Sequence, residues 1–262
     1  MIVLCYGMLK SGSTLAFELC KAVLEAKGLV QRRLPDEVVR AGHAGNFIGK
    51  LLPEQLLGLQ AAVGPDEIIA IKTHAPLPLE TRAAILAGQA QGAIRLQVSF
   101  RDPREICLSL LDAGARARGR EGSGAQGFGA IHTLEQAARF IENQIRHCVS
   151  WAAVSDALLL PYNEVAFDPD PVITRLCADL GIGMLDQLER EAVRDRVFNR
   201  GHTLRNKAVK DRHRELTEPQ NQFLLDTIPD ARPFVEQVCE RQDYTWFARR
   251  WRQEVSALEF VQ

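Results

Sequence analysis

The sequence predicts an α/β fold with a central parallel sheet flanked by helices, and three observations carry that expectation. Four short runs rich in apolar residues, at 2–6, 67–72, 94–100 and 157–160, are bounded by turn residues and read as buried strands. Helical stretches separate them, as crossover connections between parallel strands require. The length, 262 residues, suits one large α/β domain, expected over 1–262.

The first run, Ile2 to Tyr6, stops at Gly7, and a helix follows from Leu15 to Gly28, a glycine suited to closing it. Gln31 to Gly49 mixes charge and glycine without periodicity, so it reads as an irregular connection and a candidate wall of a substrate pocket. Pro53 opens a short helix to Ala62, Gly64-Pro65-Asp66 turns the chain, and Ile68, Ile69 and Ile71 build the second strand. Leu79 to Ala87 is a helix broken by Gly88 and Gly92. Ile94 to Phe100 is the third strand; Pro103 then opens a helix capped by Asp102 and continuing through Ile106, Leu108 and Leu111.

Gly114 to Gly129 holds six glycines in sixteen residues together with Arg116, Arg118 and Arg120, which is too flexible for a regular element. It reads equally as a lid over an acidic acceptor and as a passive insertion. Leu134, Ala138, Ile141, Ile145, Cys148 and Ala152 form one long helical stripe. Ala157 to Leu160 is the fourth strand, and helices are expected over 171–180, 185–197 and the tail from 218, docked by Trp246, Phe247 and Trp251.

The chemistry starts at Tyr6-Gly-Met-Leu-Lys-Ser-Gly-Ser-Thr14, which joins the first strand to the first helix. Free N–H groups at a helix start, with the positive end of its dipole, make an anion cradle to which Lys10, Ser13 and Thr14 add donors. Gly7 and Gly12 have the spacing of a nucleotide triphosphate loop, but Ser13 stands where such a loop needs lysine, and the lysine sits at Lys10. Ligands of an open parallel sheet gather beyond the carboxyl ends of its strands, which puts Lys72, His74 and Arg101 near the same cradle.

Lys10 to Thr14 resembles the 5′-phosphosulfate loop of sulfotransferases that use 3′-phosphoadenosine 5′-phosphosulfate (PAPS), with Leu9, Ser13 and Leu15 where the family has Pro, Thr and Trp. Ile71-Lys-Thr-His-Ala-Pro76 is similar to the segment carrying the catalytic histidine of the cytosolic members. Val98 to Ser109 resembles the 3′-phosphate motif, an Arg followed eight residues later by a Ser, and Tyr162 to Pro169 resembles the segment after a late strand.

The resemblance implies a P-loop-like sulfotransferase fold and sulfuryl transfer from PAPS to a hydroxyl or amine of a small-molecule or glycan acceptor, releasing adenosine 3′,5′-bisphosphate (PAP). It implies that Lys10, helped by Lys72, stabilises the leaving phosphate and the sulfonate, and that His74 takes the acceptor proton. Ser11, Gly12, Ser13 and Thr14 join Lys10 at the 5′ side, Arg101 and Ser109 hold the 3′-phosphate, and Tyr162 approaches the adenine or, equally, is a core aromatic. Arg205 and Lys207 are candidates for the family's loop over the 3′-phosphate, though the cation run 200–214 reads equally as a solvated face. No metal is implied.

Lys and Arg number 32 against 33 Asp and Glu, a net charge of −1, so no global basic field points to nucleic acid. Six cysteines without a Cys-x-x-Cys pair read as reduced, buried thiols. No window approaches the ~18 apolar residues of a membrane span, and a cytoplasmic location without membrane association is expected. Two other readings stay open: a nucleotide kinase or NTPase with an aberrant loop, and a nucleotide-binding protein that kept the fold without catalysis. The acceptor pocket is expected from 31–49 and 114–132, with His43 and His132 as the next candidates for a base.

Overall fold

In the computed structural model, which describes residues 1–43, 45–119, 127–199 and 209–259, five strands make one sheet. They are β1 (Ile2–Gly7), β2 (Phe47–Ile48), β3 (Ile69–Thr73), β4 (Ile94–Phe100) and β5 (Leu158–Pro161). All pairings are parallel, in the order β2-β3-β1-β4-β5. Val3 and Cys5 of β1 face one apolar core, while Ile2, Leu4 and Tyr6 face the other, as the two-residue period of a strand dictates.

The helices divide between the two faces. Helices α1 (Ser13–Ala26), α7 (Tyr162–Phe167), α8 (Pro169–Leu180) and α9 (Gln187–Arg194) cover the Val3 side. The other side takes α2 (Pro53–Ala62), α3 (Leu79–Ala90), α4 (Pro103–Arg118), α5 (Leu134–Phe140), α6 (Gln144–Ala152), α10 (Glu218–Thr227), α11 (Ala231–Pro233) and α12 (Thr245–Glu259). Trp246 and Phe247 are buried there as expected, and the Arg82 guanidinium lies 4.5 Å from the Trp251 ring centroid. Each fully buried aliphatic or aromatic side chain contributes roughly 1.5–3 kcal/mol. The architecture is the expected central parallel sheet flanked by helices.

Four expectations need correction. The irregular segment 31–49 hides β2, a two-residue edge strand paired on one side to β3 and too short to show a period. Helix α3 runs past Gly88 to Ala90, because a Cβ there would lie 2.5 Å from Ile94 Cδ1 and the glycine is set by packing, not by a break. Helix α4 likewise runs through Gly114 to Arg118, so the glycine-rich segment begins as regular helix. A Cβ on Gly114 would fall 2.3 Å from the Ile131 carbonyl oxygen, so the glycine lets the next stretch of chain lie against the helix. The stripe from Leu134 is two helices, α5 and α6, which both keep their apolar residues on the core.

Strand order reverses at β1: β2 and β3 lie to one side, β4 and β5 to the other. Such a switch point leaves a crevice outside the carboxyl ends of the strands, where an open α/β sheet binds its ligands. No helix among the described residues is long and apolar enough to cross a membrane.

Candidate functional site

The carboxyl end of β1 leads directly into the loop ahead of α1. A Cβ on Gly7 would lie 2.3 Å from Ser13 Cβ and 2.4 Å from Ser99 Oγ, so only glycine lets the loop close over the strand. Gly12 is the residue before the helix, with φ 78°, and offers no capping side chain, so the first-turn N–H groups of α1 are left uncapped by side chains. Lys10 has φ 62°, a left-handed conformation rare for a residue with a Cβ. Strain of that kind persists only where the surroundings hold it.

Several contacts hold it. The Leu9 N–H donates to Gln144 Oε1 at 2.9 Å, and the Met8 N–H donates to the Ser99 carbonyl at 3.1 Å. Ser11 donates both its hydroxyl, at 2.7 Å, and its N–H, at 3.2 Å, to the Met8 carbonyl. Ser11 therefore braces the turn from within. The Lys10 ammonium lies 5.3 Å from the Phe128 ring centroid. Burial lowers its pKa, with Arg116 adding to the effect and Asp112 opposing it.

Lys72 and His74 come from the adjacent β3 and the turn after it. Lys72 Nζ donates to Thr14 Oγ1 at 2.7 Å, which puts a cation at the first turn of α1, and burial pushes its pKa down to about 8. His74 Nδ1 lies 2.6 Å from the Gly7 carbonyl oxygen. A carbonyl can only accept, so Nδ1 carries the proton and Nε2 keeps its lone pair. Burial, with Lys72 nearby, lowers the His74 pKa to about 4, so the imidazole is neutral at pH 7. Phe47 lies between His74, at 5.8 Å between centroids, and His43, at 4.7 Å.

Helix α6 anchors both loops. Besides Gln144 on Leu9, Trp151 Nε1 donates to the Ala75 carbonyl at 2.8 Å, and Ser150 Oγ accepts the Leu77 N–H at 3.1 Å. The sequence reading missed these anchors, and no spacing within α6 distinguishes them from ordinary packing positions.

Arg101 leaves the tip of β4. Its guanidinium carbon lies 3.9 Å from the Tyr162 ring centroid, and its Nε donates to Glu105 Oε2 at 2.7 Å. A Cβ on Gly12 would lie 2.6 Å from Tyr162 Cδ2, so the tyrosine ring separates the loop from Arg101 and spaces the two. Ser109 is 6% exposed, two turns along α4. Lys10, Lys72 and His74 therefore gather at one end of the sheet with Gly12, Ser13 and Thr14, while Arg101 joins them through Tyr162. Arg205 and Lys207 lie outside the described residues. A cavity of about 400 Å³ beyond β4 and β5 is lined by Arg101, Glu105, Tyr162, His213 and Tyr244 among others; it borders the site without including Lys10 or His74.

A glycine-bearing loop between a central parallel strand and a helix thus lies beside the sheet-order reversal of an open α/β fold. Among solved structures, a mouse sulfotransferase (SULT7A1) complexed with PAP matches with a TM-score of 0.54 and 13% identity, over 95% of this chain and 88% of that one. Retinol dehydratase, in complex with androsterone and inactive cofactor PAP, matches with a TM-score of 0.52 and 16% identity, over 88% of this chain and 80% of that one. The chain has the sulfotransferase fold. No family model matches its sequence, and no curated protein matches it significantly.

Proposed function

We propose that the protein is a PAPS-dependent sulfotransferase acting on an acceptor hydroxyl or amine. One observation carries the proposal: the neutral His74, with Nε2 free to accept a proton, sits beside a cation-bearing loop at the carboxyl ends of β1 and β3. The donor set fits an anionic sulfuryl donor, because the uncapped N–H groups of α1 have Lys72 at Thr14 and Lys10 in the loop that precedes them. PAPS supplies the activated sulfuryl group. Lys10 and Lys72 balance charge on the sulfonate and on the departing phosphate oxygen, and donors of this kind are each worth about 3–4 kcal/mol in the transition state. His74 Nε2 takes the acceptor proton as the new O–S or N–S bond forms and the bond to the leaving phosphate breaks, a contribution of about 10²–10⁴ in rate. The mouse sulfotransferase and retinol dehydratase structures hold PAP, and the likeness of fold supports the same product at this crevice.

Incubation with radiolabelled PAPS and a panel of phenols, alcohols, amines and glycans tests the proposal. Acceptor-dependent release of PAP with label in the acceptor is expected. PAP binding without transfer to any acceptor class would instead mark a nucleotide-binding protein that kept the fold.

A further inference from the structure

We infer that Glu105 is a positioning residue: it fixes the Arg101 guanidinium, and that fixing is what makes the site discriminate for a second phosphate on the ligand. The inference deepens the proposed use of PAPS and rests on that reading.

Arg101 and Glu105 side chains are 7% and 3% exposed, and the carboxylate Oε2 accepts Nε–H at 2.7 Å. The ring of Tyr162 covers the guanidinium face at 3.9 Å, and Gly12 backs that ring. One edge and one face of the planar group are thus held. Among the described residues its Nη groups make no hydrogen bond, so they remain as its donors toward a ligand. The second carboxylate oxygen, Oε1, lies 3.2 Å from Nδ1 of His213 and accepts the His213 N–H at 3.4 Å, so Glu105 is itself anchored.

A buried carboxylate next to an anion site opposes anion binding by its charge and costs desolvation. Its geometry supplies the compensation. A guanidinium donates two parallel bonds to phosphate only when its plane is set, and fixing Nε sets the plane. What matters at position 105 is therefore an acceptor at the right distance, not a negative charge. The spacing of four residues from Arg101, across the start of α4, brings the glutamate oxygen to Nε, and a side chain shorter by one methylene would draw that oxygen back.

Two substitutions separate geometry from charge. Glu105→Gln keeps an oxygen that can accept Nε–H and removes the charge; Glu105→Asp keeps the charge and withdraws the oxygen by one methylene. Calorimetric titration with PAP and with AMP, on protein whose melting temperature confirms folding, reads the ratio of the two affinities. Wild type should prefer PAP, Glu105→Gln should keep that ratio within about threefold, and Glu105→Asp should lose about tenfold in PAP affinity with AMP affinity held within about twofold. In an Arg101→Ala background, Glu105→Asp should cost nothing further. The inference is overturned if Glu105→Asp keeps the ratio, if Glu105→Gln loses it, if PAP and AMP weaken together, or if the Glu105→Asp loss persists without Arg101. Wild type that binds PAP and AMP equally would overturn the PAPS reading itself, and the inference with it, before any variant is compared.

Discussion

Replacing His74 with alanine removes a neutral proton acceptor that the fold sets beside Lys72 and the α1 loop. The imidazole meets the anion cradle only through its hydrogen bond to the Gly7 carbonyl, at the strand end of the loop. PAP affinity should therefore change little, while turnover falls by about 10²-fold or more, the range for loss of a general base. The pH behaviour follows from the same burial. A His74 pKa lowered to about 4 leaves the free enzyme's base unprotonated across neutral pH, so kcat/KM for PAPS should show no inflection near 6.5.

Stability gives a second reading of the same group. Between pH 6.5 and about 4 the unfolded imidazole binds a proton that the native one refuses, so the unfolded state binds more protons and native stability falls as pH drops through that window. The loss reaches at most about 3 kcal/mol in wild type and should be missing from His74→Ala, which at neutral pH instead gives up about 1 kcal/mol for the lost bond to Gly7. Chemical denaturation at pH 4.5 and 7 and steady-state kinetics on both proteins check this. Full activity in His74→Ala, or a kcat/KM midpoint near 6.5, would refute the reasoning.

Other perturbations test neighbouring parts of the site. Lys72, with a pKa lowered to about 8, loses its charge as pH rises through that value, so PAP affinity should decline toward pH 9 in wild type and stay flat in a weaker-binding Lys72→Met, measured by calorimetry. Gly7→Ala places a methyl 2.3 Å from Ser13 Cβ and 2.4 Å from Ser99 Oγ, and it should destabilise the protein by about 1–3 kcal/mol or more in thermal unfolding while weakening PAP.

The strands and the cradle were legible because each is written locally. Ile2 to Tyr6 reads as a buried strand from its own composition, and Gly7 and Gly12 mark the loop by positions that glycine alone fills without strain. Lys72 and His74 could be placed from β3 alone, since a strand tip in a parallel sheet is already an address. Contacts that close long loops left no comparable trace. Gln144 reaches Leu9 across 135 residues, and nothing in α6 marks it as different from its neighbours. Glu105 is legible in principle, because an acidic residue four positions after Arg101 at a helix start is a recognisable ion-pair spacing. Gly88 and Gly114 misled for the opposite reason: each was read for its backbone freedom, whereas Ile94 and the Ile131 carbonyl need only its missing side chain.

The central claim is that this crevice holds a nucleotide carrying phosphates at both its 5′ and 3′ positions, and titration calorimetry of PAP, AMP and ATP, each with and without magnesium, tests it most directly. Charge-assisted bonds to a second phosphate are each worth about 1.5–3 kcal/mol, so PAP should bind at least tenfold more tightly than AMP and should need no magnesium. Equal affinity for PAP and AMP, or tight binding of ATP only when magnesium is added, would contradict the account and favour a kinase or NTPase.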